Sequence, residues 1–105
     1  MSGDIIISKE ARLGMNTLAF LYVVERVRPC FRKSEEEAMR RIYMPHDEGG
    51  MNFISLSEVC AEDFRAFCRA AVNAEEKSAR LGRNEYDVWW NRLSEKLVQD
   101  PRFHA

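Results

Sequence analysis

Long apolar runs, paired-cysteine spacings, glycine-rich phosphate loops and internal repeats are all missing from this 105-residue chain. The longest apolar run, Leu18 to Val24, is too short to span a bilayer. The opening MSGDIIISKE has no basic region leading into such a run, so a secretory signal is not indicated. Cysteine is sparse: Cys30, Cys60 and Cys68 make an odd set with no CxxC. On one helix Cys60 and Cys68 would stand about 12 Å apart at 1.5 Å per residue, beyond disulfide reach. Reduced, mostly buried thiols in a cytoplasmic protein are the expectation.

Histidine is equally scarce. His46 adjoins Asp47 and Glu48, but consecutive residues do not converge on one ion, and no HxxxH or HxxE spacing supports them. His104 is terminal. No Cys or Ser carries a local signature that would pair it with a histidine base, and the adjacent carboxylates at 35–37 and 62–63 read as first turns of helices. The expectation is no enzyme, no metal and no cofactor.

What is present is an ordinary globular composition, 46% hydrophobic and 31% charged, with net charge −1. That balance argues against general attraction to nucleic acid or an anionic membrane. The charge is uneven, however. Residues 1–46 hold eight Lys/Arg against six Asp/Glu, and residues 47–105 hold eight against eleven. From Ile42 to Phe64 there are five carboxylates, Asp47, Glu48, Glu58, Glu62 and Asp63, and no Lys or Arg. Arg26, Arg28, Arg32 and Lys33, continued by Arg40 and Arg41, form the basic counterpart.

Periodicity gives a mostly helical chain. In the stretch 53–79, Cys60, Phe64, Phe67, Cys68, Ala71, Ala74 or Glu75, and Ser78 fall on one helix face, with Glu62, Arg65, Arg69, Asn73 and Glu76 opposite. Ser57, or a Ser55–Glu58 capping box, starts this helix, and Gly82 ends it. Lys9 to Val27 reads as a long helix capped by Ser8, with Ala11, Met15, Leu18, Leu21, Tyr22 and Val24 inward, and Pro29 closes it. Ser34 and Glu37 open a helix to about Tyr43 that Pro45 stops, leaving 46–50 as a loop. Asn84 caps a last helix over 85–99, and Phe103 either folds back or hangs free. Ile5–Ile7 and Phe53–Ile54 are short enough to pair as strands. The fold class is therefore all-α in the main, a single domain over 1–105, built as a three- to four-helix bundle with at most a minor β element.

Three binding roles follow. The acidic stretch suits a basic protein partner, since a surface of one sign steers and orients its complement. The basic run 26–41 suits phosphates. Trp89 and Trp90 lie about 100° apart on a helix, so one is core and the other near the surface, with Trp90 the candidate interface anchor; it or Phe103 is also the natural contact of a structural subunit in a larger assembly.

One segment carries a family likeness. FISLSEVCAEDFRAFCRAAVNA, with Ile54-Ser55-Leu56, Glu58-Val59, Glu62-Asp63-Phe64 and Phe67, resembles small bacterial immunity proteins of the contact-dependent growth inhibition type. The resemblance implies an inhibitor without catalysis that binds a toxin domain, over its active site or an adjoining surface. Toxins of this kind are often nucleases with basic sites, and Asp47, Glu48, Glu58, Glu62 and Asp63 would then stand in for nucleic-acid phosphate.

Overall fold

The computed structural model describes residues 2–104; Met1 and Ala105, counted in the expected domain, lie outside the described residues. The chain runs β1 (Ser2–Ile6), β2 (Arg12–Asn16), α1 (Thr17–Val27), α2 (Glu36–Asp47), β3 (Phe53–Ser55), α3 (Ala61–Arg80) and α4 (Val88–Val98), with short 3-10 turns at 28–30, 33–35 and 101–103. The fold is mostly helical with a small sheet. No described helix is long and apolar enough to cross a membrane.

The sheet has the order β2-β1-β3. β1 pairs antiparallel with β2, Ile5 opposite Leu13, and parallel with β3, Ile5 opposite Ile54. The expected pairing of the two short apolar runs is thus present, but a third strand replaces the first half of the predicted Lys9–Val27 helix. The reason lies in a change of period. Arg12, Gly14 and Asn16 are exposed while Leu13 and Met15 are buried, an alternation that fits a strand, and Gly14 weakens any helix through it. The helix begins only at Asn16, whose side-chain Oδ1 accepts from the Ala19 N–H at 2.8 Å. Ser8 is no cap. It sits in the β1–β2 turn, where the Ile7 and Ser8 N–H groups both donate to the Ala11 carbonyl.

The later start also rotates the inward face. α1 buries Ala19, Phe20, Val23, Val24 and Val27, while Leu18 is 67% exposed and Leu21 lies at the surface. Phe20 lies across β1 at Gly3, where a Cβ would come within 2.4 Å of its ring.

Two other boundaries move. Pro45 lies inside α2, so Asp47 is the last helical residue and Glu48 its C-cap, not parts of a loop. Pro45 removes its own N–H from the ladder but keeps a helical φ, and the chain stays helical for two more residues; past it, the carbonyls of Met44 and Pro45 are taken up by the N–H groups of Glu48, Gly49 and Met51. At the other end Glu35, not Ser34, makes the reach-back contact, accepting from the Arg32 N–H at 2.9 Å. α3 starts at Ala61 rather than Ser57. The hydroxyls of Ser55 and Ser57 bond each other at 2.9 Å, and neither caps the helix. Glu58 therefore precedes the helix in a turn.

From Phe64 onward α3 follows the expected face. Phe64 and Phe67 are fully buried, followed by Cys68, Ala71, Ala74 and Ser78. Each phenylalanine contributes roughly 1.5–3 kcal/mol through burial. Cys60 departs from that face and is exposed, as Cys30 is in part, so only Cys68 is the buried thiol expected; burial pushes it up to about 12. α3 ends where Gly82 turns to φ 105°. α4 begins at Val88, later than expected, because Asn84 and Asp87 bond each other's segment in a turn. It buries Trp90, Leu93 and Leu97.

The C-terminal turn is fastened by Arg102. Its Nε and Nη2 donate to both oxygens of Asp100 at 2.9 Å. Nη1 donates to the carbonyls of Leu56 (2.6 Å) and Val59 (2.9 Å), and Nη2 also donates to that of Ile7 (2.8 Å). The guanidinium lies 4.3 Å from the Phe64 ring centroid.

Three substitutions test this packing. Arg102→Ala should lower unfolding stability by about 2–4 kcal/mol, because it strands three carbonyls and the buried Asp100 carboxylate. Arg102→Lys should recover less than half, lacking the planar fork. Gly3→Ala should cost about 1–3 kcal/mol through overpacking against Phe20. Urea denaturation measures all three; losses below about 0.5 kcal/mol would contradict the contacts described.

Candidate protein-binding surface

The five carboxylates of the 42–64 stretch do not form one free acidic face. Arg28 grips Asp47 with Nη1 at 2.7 Å and Nη2 at 2.9 Å, and also binds Glu25 through Nε and Nη2. Its plane lies over the Tyr43 ring, whose hydroxyl donates to the buried Val24 carbonyl at 2.5 Å. This knot ties the end of α1 to the end of α2. The hydrogen bond from Arg28 holds the Asp47 carboxyl below its usual range, and donating to Asp47 and Glu25 raises Arg28 above its own. Burial pushes the Tyr43 phenol up.

Glu48 meets Arg40 at 3.7 Å and Asp63 meets Arg41 at 3.1 Å. Glu35 pairs with Arg69. Three of the five predicted acids are thus neutralised by arginines from outside the acid-only stretch. Glu58 and Glu62 are exposed and have no ion pair among the described residues. They stand at the head of α3, where the helix dipole favours negative charge.

Much of the basic run is engaged in the same contacts, while Arg32 and Lys33 remain exposed. Arg28, Arg40 and Arg41 are ion-paired, and Arg26 lies 3.8 Å from the Tyr22 ring centroid. His46 points Nδ1 at the Met51 carbonyl and meets the Phe20 ring edge-on. His46, Asp47 and Glu48 therefore turn to three different partners. No group of three or more His, Cys, Asp or Glu that could hold a metal ion occurs among the described residues.

Trp90 does not have the exposure expected of an anchor. It is only 3% exposed, because the i, i+3, i+7 row Trp90, Leu93, Leu97 faces α3. Trp89 is the outer of the pair, with the Arg92 guanidinium 4.8 Å from its ring centroid. Phe103 folds back and packs against the core.

Two features have weak sequence signals. Arg102 shows only as a basic residue two places after Asp100; its carbonyl acceptors are 43 to 95 residues away. Glu75 lies on the rim of the α3 core face, half-buried, and has no hydrogen bond or ion pair among the described residues. Its position between α3 and α4 depends on how those helices pack.

No protein-family model matches the sequence. The immunity protein CdiI of Burkholderia pseudomallei is 38% identical over 108 residues, spanning 97% of this chain and 94% of that protein. The chain belongs to the CdiI immunity protein family. A chain in the solved complex of the CdiA-CT toxin from Burkholderia pseudomallei E479 with its cognate CdiI immunity protein is 34% identical and covers 96% of this one. It superposes with a TM-score of 0.86 over 98% of its own length. Membership of the CdiI family accounts for a likeness that the 53–74 stretch carried alone, and it extends that likeness to both the sheet and the helices.

The Arg28 knot makes a pH prediction. A carboxyl held low in the fold contributes stability in full above its unfolded value, about 3.9, and loses it as pH falls through the lower folded value. Asp47→Asn should therefore lower the urea midpoint at neutral pH, and its difference from the wild type should shrink below about pH 4. A difference that stays constant down to pH 2.5 would show that Asp47 is not held low.

Proposed function

We propose that this chain is a non-enzymatic inhibitor that binds and neutralises a cognate toxin domain of the CdiA-CT kind in the cytoplasm of the cell that makes it. The supporting observation is the match to the CdiI immunity protein along nearly the whole of both chains, joined to the TM-score of 0.86 with a chain of the toxin–immunity complex. The exposed, unpaired Glu58 and Glu62 are the acids free to meet a basic toxin surface. Asp47, Glu48 and Asp63 contribute less, since a partner's cation would have to displace Arg28, Arg40 or Arg41. The buried Trp90 contributes through the shape of the α3–α4 surface, not as a protruding anchor. Internal pairing of Arg28, Arg40 and Arg41 weighs against the nucleic-acid reading of the basic run.

Co-expression should rescue bacteria from the toxin domain encoded with this chain, and the two purified proteins should form a stable one-to-one complex in calorimetry. Glu58→Lys with Glu62→Lys should weaken that complex tenfold or more, about 1.4 kcal/mol, and make its affinity fall more steeply with salt. A wild-type chain that neither rescues nor binds would refute the function. Unchanged affinity in the double variant would refute the acidic contact alone.

A further inference from the structure

A groove runs between α3 and α4. At one end is a slot of about 60 Å³, lined by Cys68, Ala71, Trp90, Leu93, Leu97 and Phe103. Its lining is apolar apart from Glu75 and Ser94. At the other end is a wider polar hollow bordered by Asp87, Arg83 and Asn91. Glu75 and Trp90 border both. Glu75 is half-buried with no hydrogen bond or ion pair among the described residues, and Arg83, although it borders the same hollow, makes no ion pair with it. Beneath the groove, the indole Nε1 of Trp90 and Oδ1 of Asp87 are buried without a hydrogen-bond partner among the described residues, and the other Asp87 oxygen accepts from the Asn84 N–H. Val72, 53% exposed, stands at the lip.

The charges that remain open elsewhere on the surface are side chains in water. Glu75 differs, because it is partly removed from water beside an apolar slot and has no counter-charge. A carboxylate so placed is stabilised by an incoming cation more than an exposed one is, since part of its desolvation has already occurred. Slot and carboxylate together describe what fits. An aliphatic side chain fills the apolar end, and a cation meets Glu75.

We propose that the α3–α4 groove receives a segment of the partner toxin domain that carries an aliphatic side chain next to a lysine or arginine. The inference rests on the toxin-binding reading and adds a second contact, separate from Glu58 and Glu62 at the head of α3. The aliphatic residue seats against Trp90, Leu93 and Leu97, and Glu75 fixes the register of the segment through its charge. A central apolar anchor beside a desolvated charge pair is the arrangement that concentrates binding energy at protein interfaces.

The test uses the full chain and the toxin domain encoded with it. Three variants are made: Glu75→Arg, Glu75→Gln, and Ser94→Trp, which places a ring over the slot from an exposed position on α4. Circular dichroism and urea midpoints check the fold, and calorimetry reads the affinity. The expected result is at least a tenfold loss for Glu75→Arg and for Ser94→Trp and a smaller loss for Glu75→Gln, with midpoints unchanged. If a larger substitution disturbs the fold, the isosteric Glu75→Gln decides by its affinity. Wild-type binding with all folded variants within twofold of it would overturn the groove contact and leave the toxin reading standing. Absence of wild-type binding would remove both. Sedimentation of the free protein covers the other occupant: a dimer dissolved by Ser94→Trp would assign the groove to a second copy and overturn the proposal.

Discussion

One guanidinium holds together three parts of the chain that are far apart in sequence. Arg102 places all of its donor nitrogens on Asp100 and on the carbonyls of Ile7, Leu56 and Val59. Those carbonyls belong to the segment after β1 and to the connection from β3 into α3. The contact therefore sets where β1 stops, how β3 leaves the sheet and where the C-terminal turn lies. Backbone carbonyls that leave a sheet edge need a donor, and here one side chain supplies three of them. The hydrogen bond from Arg102 also holds the Asp100 carboxyl below its usual range, so the clasp stays charged on both sides at neutral pH.

Both proposed contacts depend on that clasp. The 56–60 turn that it fixes presents Glu58 and leads into Glu62. The turn at 101–103 that it anchors carries Phe103, which closes one end of the α3–α4 slot. The Arg28 knot plays a similar part on the other side, locking α1 to α2. A protein fastened in this way loses little conformational freedom when it meets a partner, and that saving is one source of tight binding. Internal pairing of Asp47, Glu48 and Asp63 ties neighbouring elements together and leaves Glu58 and Glu62 as the open carboxylates of that stretch.

Helical periodicity made much of the fold legible. The α3 face from Phe64 to Ser78 follows from spacing, as do Leu93 and Leu97 on α4, and the Ile5–Ile54 pairing from two short apolar runs; spacing left open whether Trp89 or Trp90 faces inward, and Trp90 was the wrong choice for the exposed one. The region before Asn16 was misread because Leu13 and Met15 fit a helical row and a strand equally well over so short a span. Helix starts failed where a polar side chain had a nearer partner: Ser57 bonds Ser55 and leaves α3 uncapped. The acidic face was misjudged for a related reason. A charge run in sequence says which residues are ionised, but Arg28, Arg40 and Arg41 reach it only through the tertiary fold. Arg102 was invisible for the same cause, since its acceptors lie in segments it does not adjoin; Glu75 was readable only as an alternative to Ala74 on the inward face, and its lack of a counter-charge depends on how α3 and α4 pack. The family likeness was readable in one fifth of the chain and proved to hold along nearly all of it.

The central claim is that a pre-fastened scaffold binds a toxin domain through the head of α3 and the α3–α4 groove without rearranging. Amide hydrogen exchange on the free chain and on its complex with the toxin domain tests this directly. The account predicts slowed exchange confined to residues 57–63, 72–76 and 87–91, with rates in β1, α1 and α2 unchanged. Protection spread across the sheet and α1, or none in those three segments, would contradict it.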